Sequence, residues 1–335
     1  MSNDKAKVMT LDLAHLDDAG FDKLYHAEIE PPLLAREAER IADVKLYWQR
    51  LIPGVALVAA VVAGMLWIGW TEFSFFAGIA GLIGAGSFAY WPLSILNTQV
   101  KLKMLGTIAD TIGCAYQENG FAPAGFERIR SLGLVPSYDR SNFEDWWNGQ
   151  RFKCGFDLYE AHLEVKHHDK NGEHWSTCFR GQVMRVAFPK KFLGTTIVRR
   201  DRGLFNFLDR FGSSLKRIGL ESSKFEHDFE VYGSDQVEAR ELVHPVFMER
   251  LLALETQFSG KRIRCAFQEG DLLIAVEGRN RFEAGSMFTP LADPKRVRAV
   301  IDDIAEILRL IDAMLTAETA PLVAMGNKDV PLETS

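Results

Sequence analysis

The sequence has 335 residues, with 45 acidic against 39 basic side chains and a formal net charge of -6. Its length allows a membrane element plus one soluble domain of ordinary size. The acidic balance argues against a nucleic-acid partner, and the four widely spaced cysteines argue against a zinc ribbon or a dithiol redox site.

Residues 1–50 are predicted to form a cytoplasmic helical stalk. Phe21 to Glu30 reads as a short helix, and Pro31 and Pro32 open a second helix that runs through Arg50, because proline is tolerated in the first turn of a helix. The region lacks the short apolar run of a cleavable signal peptide. We therefore expect this stalk to be retained in the mature protein.

Two uncharged apolar runs predict a transmembrane hairpin over residues 51–100, with helices at 51–70 and 73–96. A hydrocarbon core about 30 Å thick needs roughly 20 helical residues. The alternative, two buried helices of a soluble protein, is disfavoured because neither run has a polar face. Neither run contains an ionisable side chain, which favours an anchor over an ion pathway or a small oligomeric pore.

The charges beside the apolar runs predict their orientation. The turn between them carries only Glu72, whereas basic residues stand at the two outer ends, namely Arg36, Arg40, Lys45, Arg50, Lys101 and Lys103. Because basic loops remain on the cytoplasmic side, we expect a multi-pass protein with both termini in the cytoplasm.

Small residues recur at every fourth position in both runs and predict close helix packing. They are Ala56, Ala60 and Gly64 in the first run and Ala77, Gly81, Ala85 and Ala89 in the second. These stripes either close the hairpin on itself or join two copies of the chain, so the oligomeric state stays open.

The rest of the chain is predicted to contain a helix and linker over residues 101–148, a cytoplasmic α+β domain over 149–320 and a flexible tail over 321–335. The predicted fold class is α+β, a two-helix transmembrane hairpin followed by a cytoplasmic antiparallel sheet domain packed with helices.

Alternating apolar residues and turn signals predict the elements of that domain. Strands are expected near 152–158, 175–188, 195–199 and 229–232, and a strand hairpin over 263–276. Ser234 or Asp235 is suited to cap a helix, and Pro245 and Pro294 are suited to begin two more.

Several stretches are distinctive when taken together, namely Phe179 to Gly181, Phe188 to Phe192, Phe225 to Asp235, Gln236 to Arg240, Phe247 to Leu251 and Tyr25 to Arg40. With the paired apolar runs they resemble the bacterial family catalogued as domain of unknown function 3137. The resemblance implies a bacterial inner-membrane protein without an assigned activity or catalytic residues. It also implies a LemA-like membrane protein as a candidate partner.

Residues 185–217 form a basic stretch within an acidic protein, and residues 204–218 show an apolar helical stripe. An anionic leaflet attracts each nearby basic residue by about 1 kcal/mol. The candidate lipid-contact residues are Lys190, Lys191, Arg199, Arg200, Arg202, Leu204, Phe207, Leu208, Arg210, Phe211, Lys216 and Arg217. The alternative is an ordinary amphipathic helix that packs on the sheet and exposes its basic face to solvent.

The candidate ligands of a metal site are His162, His167, His168, His174 and Cys178. Imidazole and thiolate are suitable zinc ligands. The spacing is atypical and the histidines surround a polar turn, so we interpret them as solvated turn residues and expect no metal or cofactor.

A catalytic acid/base group is conceivable among Glu238, Glu241, Glu249 and His244. Carboxylates on helices are more often solvated or paired with arginines. The sequence also lacks the motifs of common nucleophilic or nucleotide-binding sites.

The function predicted from the sequence is that of a membrane-tethered cytoplasmic adaptor or interaction domain that contacts a membrane protein partner or anionic lipid. The alternative is an undetected membrane-anchored enzyme that acts on an unidentified substrate.

Overall fold

The computed structural model describes residues 16–151, 154–169, 172–188, 191–200, 214–220, 229–258, 262–283 and 285–326. The chain divides into two compact units. The helical unit comprises Asp17–Ile108 and Phe282–Arg298, and the sheet unit comprises Ala109–Arg281 and the chain from Ala299 onward.

The helical unit begins with short helices and continues into two long ones. Helix α1 (Asp18–Leu24) leads through a π-helical turn (Tyr25–Ile29) into α2 (Glu30–Leu34). Helix α3 (Glu37–Trp67) joins the predicted stalk and the first apolar run without a break, and α4 (Thr71–Ile112) joins the second run to the helix predicted after it.

Helices α3 and α4 pack against each other as an antiparallel pair. Gly69 has a φ of 86° in the connecting turn, a conformation that glycine adopts without strain. A Cβ added at Gly81 would lie 2.8 Å from Val58 Cγ2, and one added at Gly54 would lie 3.1 Å from Ala85 Cβ. Small residues therefore let the two backbones approach closely.

Both long helices are long and apolar enough to cross a membrane. We compared the most apolar 18-residue segment of each helix. No residue of this segment is buried in α3, and 11% of its residues are buried in α4. Their apolar side chains therefore point mostly outward, unlike those of a core helix.

The segment Phe282–Arg298 is held against the first part of α3 within the helical unit. The Arg40 guanidinium donates to the Met287 carbonyl oxygen at 3.0 Å, and the backbone N–H of Leu291 donates to Glu37 Oε2 at 3.0 Å. Two hydrogen bonds from Arg40 to Glu37 Oε1 complete the arrangement.

The sheet unit is built on a nine-stranded antiparallel sheet with the order β1-β2-β3-β4-β9-β8-β5-β7-β6. The strands are β1 (Ala115–Gln117), β2 (Arg140–Arg151), β3 (Cys154–Asp169), β4 (Gly172–Ala187), β5 (Thr196–Arg200), β6 (Lys216–Ile218), β7 (Phe229–Gly233), β8 (Arg262–Gln268) and β9 (Asp271–Glu277). The predicted α+β class with an antiparallel sheet is confirmed.

In the described parts of the chain, four helices accompany the sheet: α5 (Phe126–Ser131), α6 (Gln236–Leu242), α7 (Pro245–Gln257) and α8 (Pro294–Gly326). The predicted cap is confirmed, since Asp235 Oδ1 accepts hydrogen bonds from the N–H groups of Val237 and Glu238, both at 2.9 Å. Helices α7 and α8 begin at the predicted prolines.

The two faces of the sheet carry different layers. On one face, Tyr159, Phe179, Val183 and Leu273 join a buried cluster with residues in and after α5. On the other face, Phe247 of α7 contacts Phe267 of β8 with ring centroids 5.3 Å apart. The sheet therefore lies between two helix-bearing layers, each excluding water from one side.

Three sequence-based assignments differ from the structure. The segment predicted as a helix and linker contains β1, α5 and most of β2. The helix predicted over 204–218 is wrong at its end, because residues 216–218 form β6 and pair with β7; residues 201–213 lie outside the described part. The tail predicted from residue 321 is helical in α8 as far as Gly326.

Candidate functional site: an arginine-lined cleft

The basic residues predicted to contact lipid are spread over two strands and a loop. Arg199 and Arg200 lie in β5, Lys216 and Arg217 lie in β6, and Lys191 is exposed. The remaining candidates lie outside the described residues, namely Lys190, Arg202, Leu204, Phe207, Leu208, Arg210 and Phe211.

Acidic neighbours compensate part of this basic stretch. Arg200 Nη2 lies 2.8 Å from Glu255 Oε2, and its guanidinium stacks over the Phe229 ring at 5.3 Å. Arg217 lies 3.7 Å from Glu230. Among the described residues, part of this basic stretch therefore forms ion pairs with acidic residues, and part is exposed to solvent.

The predicted small-residue stripes differ in their positions. Ala77, Gly81, Ala85 and Ala89 of α4 are half-buried or buried, and Gly81 and Ala85 contact α3. Ala56, Ala60 and Gly64 of α3 are exposed. The stripe on α3 does not form the contact between the two helices, because the face of α3 that meets α4 carries Gly54, Val58 and Val62. Its role in joining two copies of the chain stays a prediction.

The histidines considered as metal ligands form local contacts on β3 and β4. His162 Nε2 lies 2.8 Å from Thr177 Oγ1, and His167 Nε2 lies 2.6 Å from Ser176 Oγ. Within the described residues, no group of three or more His, Cys, Asp or Glu side chains is arranged to hold a metal ion.

The acid/base candidates near α6 and α7 are held by backbone groups. Glu238 accepts hydrogen bonds from the N–H groups of Leu193 at 2.6 Å and Gly194 at 2.8 Å. His244 Nδ1 accepts from the Phe247 N–H at 3.2 Å and caps α7. These bonds position a loop and a helix end, so they account for both side chains structurally.

The sheet unit contains a polar cleft of about 580 Å³, which we call the arginine cleft. Its lining residues come from β4, from the end of β9 and from the chain that follows β9. They are Thr177, Cys178, Phe179, Arg180, Glu277, Gly278, Arg279 and Arg281.

Gly181 brings the two sides of the cleft together. It pairs with Glu277 across β4 and β9, and the Gly278 N–H donates to the Arg180 carbonyl oxygen at 2.9 Å. A Cβ at Gly181 would overlap the Val276 carbonyl oxygen and the Gly278 nitrogen. A close backbone approach that only glycine permits thus places Arg180 beside Arg279.

A buried polar network supports the inner wall of the cleft. Gln182 is fully buried, and its Nε2 donates to Glu160 Oε1 at 3.1 Å and to the Arg279 carbonyl oxygen at 2.7 Å. Glu160 Oε1 also accepts the Arg281 N–H at 2.7 Å. The backbone of residues 279–281 is therefore fixed by side chains of β3 and β4.

Cys178 is a poor nucleophile in this position. Burial raises the pKa of its thiol, and the carboxylates of Asp139 and Glu164 raise it further. Its Sγ donates to the Leu163 carbonyl oxygen at 3.4 Å. Because the thiolate is the reactive form, this raised pKa makes Cys178 less reactive.

The arginine cleft was not predicted from the sequence. Cys178 was considered only as a metal ligand, and Phe179, Arg180 and Gly181 only as part of the family resemblance. A signal was present in Arg279 and Arg281, two arginines that closely follow the strand hairpin. Their partner Arg180 is remote in sequence.

The comparisons with known proteins confirm the family resemblance. The model of the family described as "Protein of unknown function (DUF3137)" matches residues 177–315, a range that contains every residue of the arginine cleft. No curated protein is detectably similar to the chain.

Among solved structures, the chain resembles the crystal structure of the mycobacterial trehalose monomycolate transport factor A, TtfA. The sequence identity is 10% and the TM-score is 0.32, over 63% of this chain and 95% of that chain. A similarity of this size carries no inference about fold or function.

Proposed function

We propose from the physical properties of the chain that it is a membrane-tethered binding module, since the family model that matches residues 177–315 assigns no activity. Helices α3 and α4 cross the cytoplasmic membrane of a bacterium, and the sheet unit remains on the cytoplasmic side. There it binds a partner at the membrane without carrying out catalysis.

The observation that carries this proposal is the outward-facing apolar surface of the α3–α4 pair. Leu57 is 66% exposed, Ile83 is 65% exposed and Phe76 is 70% exposed. Soluble proteins rarely expose a contiguous apolar surface of this extent, whereas hydrocarbon chains solvate it without cost. Apart from the positions affected by Pro53 and Pro92, helical hydrogen bonding also satisfies the backbone groups, as a lipid environment requires.

The charge distribution supports an orientation with both termini in the cytoplasm. The short turn between α3 and α4 contains no basic residue, whereas Arg50 precedes the apolar part of α3 and Lys101 and Lys103 follow that of α4. The two helices are antiparallel, so their outer ends emerge on the same, basic side.

We favour binding over catalysis because the candidate catalytic side chains are already hydrogen-bonded or protonated. Glu238 and His244 are occupied by backbone N–H groups, and Cys178 is held as a thiol. The arginine cleft, in contrast, is open and basic. A LemA-like membrane protein is the candidate partner to test first, and anionic lipid near Lys191, Lys216 and Arg217 is a second contact to test.

Alkaline carbonate extraction of membranes containing the full chain tests the tether. We expect the chain to remain in the pellet and to require detergent for release. Crosslinking in the same membranes, followed by mass spectrometry, tests binding. Release by carbonate would overturn the tether, and a chain that crosslinks to no protein or lipid would overturn the binding role.

A further inference from the structure

We propose that the arginine cleft binds a phosphate group, carried either by a small soluble ester or by a lipid headgroup. This inference deepens the proposed function and rests on it, since it names what the tethered domain binds. It depends on the two guanidinium groups of Arg180 and Arg279.

The charges that line the cleft leave two arginines available. Arg281 donates two hydrogen bonds to Asp303, and Glu277 lies 3.8 Å from Arg262. Arg180 and Arg279 are exposed, and neither forms an ion pair with any part of the chain that the structure describes. The cleft therefore presents two arginines without an ion-pair partner among the described residues, beside the carboxylate of Glu277.

These two arginines are held close to each other by the backbone. The Arg180 carbonyl oxygen accepts from Gly278, the residue before Arg279, and the Arg279 carbonyl oxygen accepts from the buried Gln182 side chain. The backbone that carries the two side chains is thus fixed before a ligand binds, and only the side chains lose conformational freedom on binding. Preorganisation of this kind is a common basis of affinity in small binding sites.

The chemistry of guanidinium groups favours phosphate. A single planar fork satisfies the two oxygens of a carboxylate, whereas a phosphate monoester presents three oxygens and nearly two negative charges to two forks. The volume of about 580 Å³ accommodates a small ligand or a lipid headgroup. Thr177 also lines the cleft, and its hydroxyl oxygen lies 2.8 Å from His162 Nε2.

The test uses the full chain in nanodiscs of phosphatidylcholine, titrated with inorganic phosphate by calorimetry. The variants are Arg180→Gln and Arg279→Gln, which remove one charge each. Arg130→Gln is the matched control, because Arg130 is an exposed arginine of α5 outside the cleft. We expect each cleft variant to bind phosphate about tenfold more weakly, and the control to bind as the wild type does.

Discs that contain phosphatidic acid identify the source of the phosphate. If the lipid weakens binding of inorganic phosphate to the wild type, the headgroup occupies the cleft. If it has no effect, the cleft takes a soluble ligand. Either interpretation holds only if the two cleft variants bind phosphate more weakly than the wild type.

The phosphate proposal is overturned if the wild type shows no saturable binding, or if the cleft variants bind as tightly as the control. Melting temperatures of all variants establish that they are folded. A chain that does not enter the discs shows separately that the tether has failed. Phosphate binding by the cleft is then measured by titrating this chain in buffer without lipid.

Discussion

The Arg281 guanidinium holds the buried Asp303 carboxylate through two hydrogen bonds, from Nε to Oδ2 at 2.9 Å and from Nη2 to Oδ1 at 2.6 Å. Asp303 Oδ1 also accepts from Gln257 Nε2 at 2.8 Å. The wall of the arginine cleft that contains Arg281 is thereby held against α7 and α8.

Asp303→Asn is expected to destabilise the fold by about 2 kcal/mol or more, because it leaves Arg281 without its anionic partner in a largely buried position. The measurement is the unfolding midpoint of the full chain in detergent. Asp302→Asn is the matched control on the more exposed side of α8. Equal midpoints for the two variants would contradict a structural role for this pair.

Gly181→Ala is expected to disrupt the pairing of β4 with β9, since its Cβ would overlap backbone atoms of residues 276–278. We expect the free energy of unfolding to fall by about 3 kcal/mol, which is near the upper end for substitutions that overpack a protein interior. Gly155→Ala in β3 is the control, because a Cβ there meets no atom within 4 Å. The comparison is made by thermal unfolding, and an equal loss in both variants would contradict the close approach.

The cap of α7 predicts a pH dependence of stability. Burial lowers the pKa of His244 from its usual value of 6.5. His244 Nδ1 must be unprotonated to accept the Phe247 N–H. Because the folded state binds this proton less readily than the unfolded state does, the stability is fully present above pH 6.5 and is lost as the pH falls below it.

Thermal unfolding at pH 7.5 and pH 5.5 checks this prediction. These two conditions lie on either side of the ordinary histidine pKa of about 6.5. His244→Asn keeps an acceptor at the cap and removes the titration, so its melting temperature should vary less with pH. His244→Ala should lose about 1 kcal/mol at the higher pH. A pH dependence that survives unchanged in His244→Asn would assign the effect to another group.

Gly81→Leu is expected to separate α3 from α4, because even a Cβ at this position is 2.8 Å from Val58. Gly84→Leu, one turn away on the open side of α4, is the control. The measurement is disulfide formation between Gly54→Cys and Ala85→Cys, quantified by peptide mass spectrometry. Crosslinking should fall with Gly81→Leu and persist with Gly84→Leu, and the reverse order would refute the packing described.

Much of the fold could be predicted from patterns that act locally. Strands β3, β4, β8 and β9 show alternating or continuous apolar residues with turn residues between them, and the caps of α6 and α7 depend on single side chains. The strand β2 was missed because its register shifts between Glu144 and Trp147, where Asp145 has a φ of 57°. Such a bulge interrupts the period of two on which strand prediction relies.

The site was less predictable because it depends on pairing between distant segments. Arg180 and Arg279 are neighbours only through the register of Gly181 with Glu277. Likewise, residues 216–218 follow an apolar stripe typical of a helix, yet they complete the sheet by pairing with β7. In both cases the structure is determined by hydrogen bonds between segments that are distant in sequence, which a local sequence pattern does not reveal.

The central claim, a tether with both ends in the cytoplasm, is tested most directly by cysteine labelling in intact cells with a membrane-impermeant maleimide. Trp70→Cys places a thiol in the turn between α3 and α4, and Ser335→Cys places one at the last residue. We expect the first to be labelled in intact cells and the second only after permeabilisation. Labelling of Ser335→Cys in intact cells, with protection of Trp70→Cys, would contradict the account.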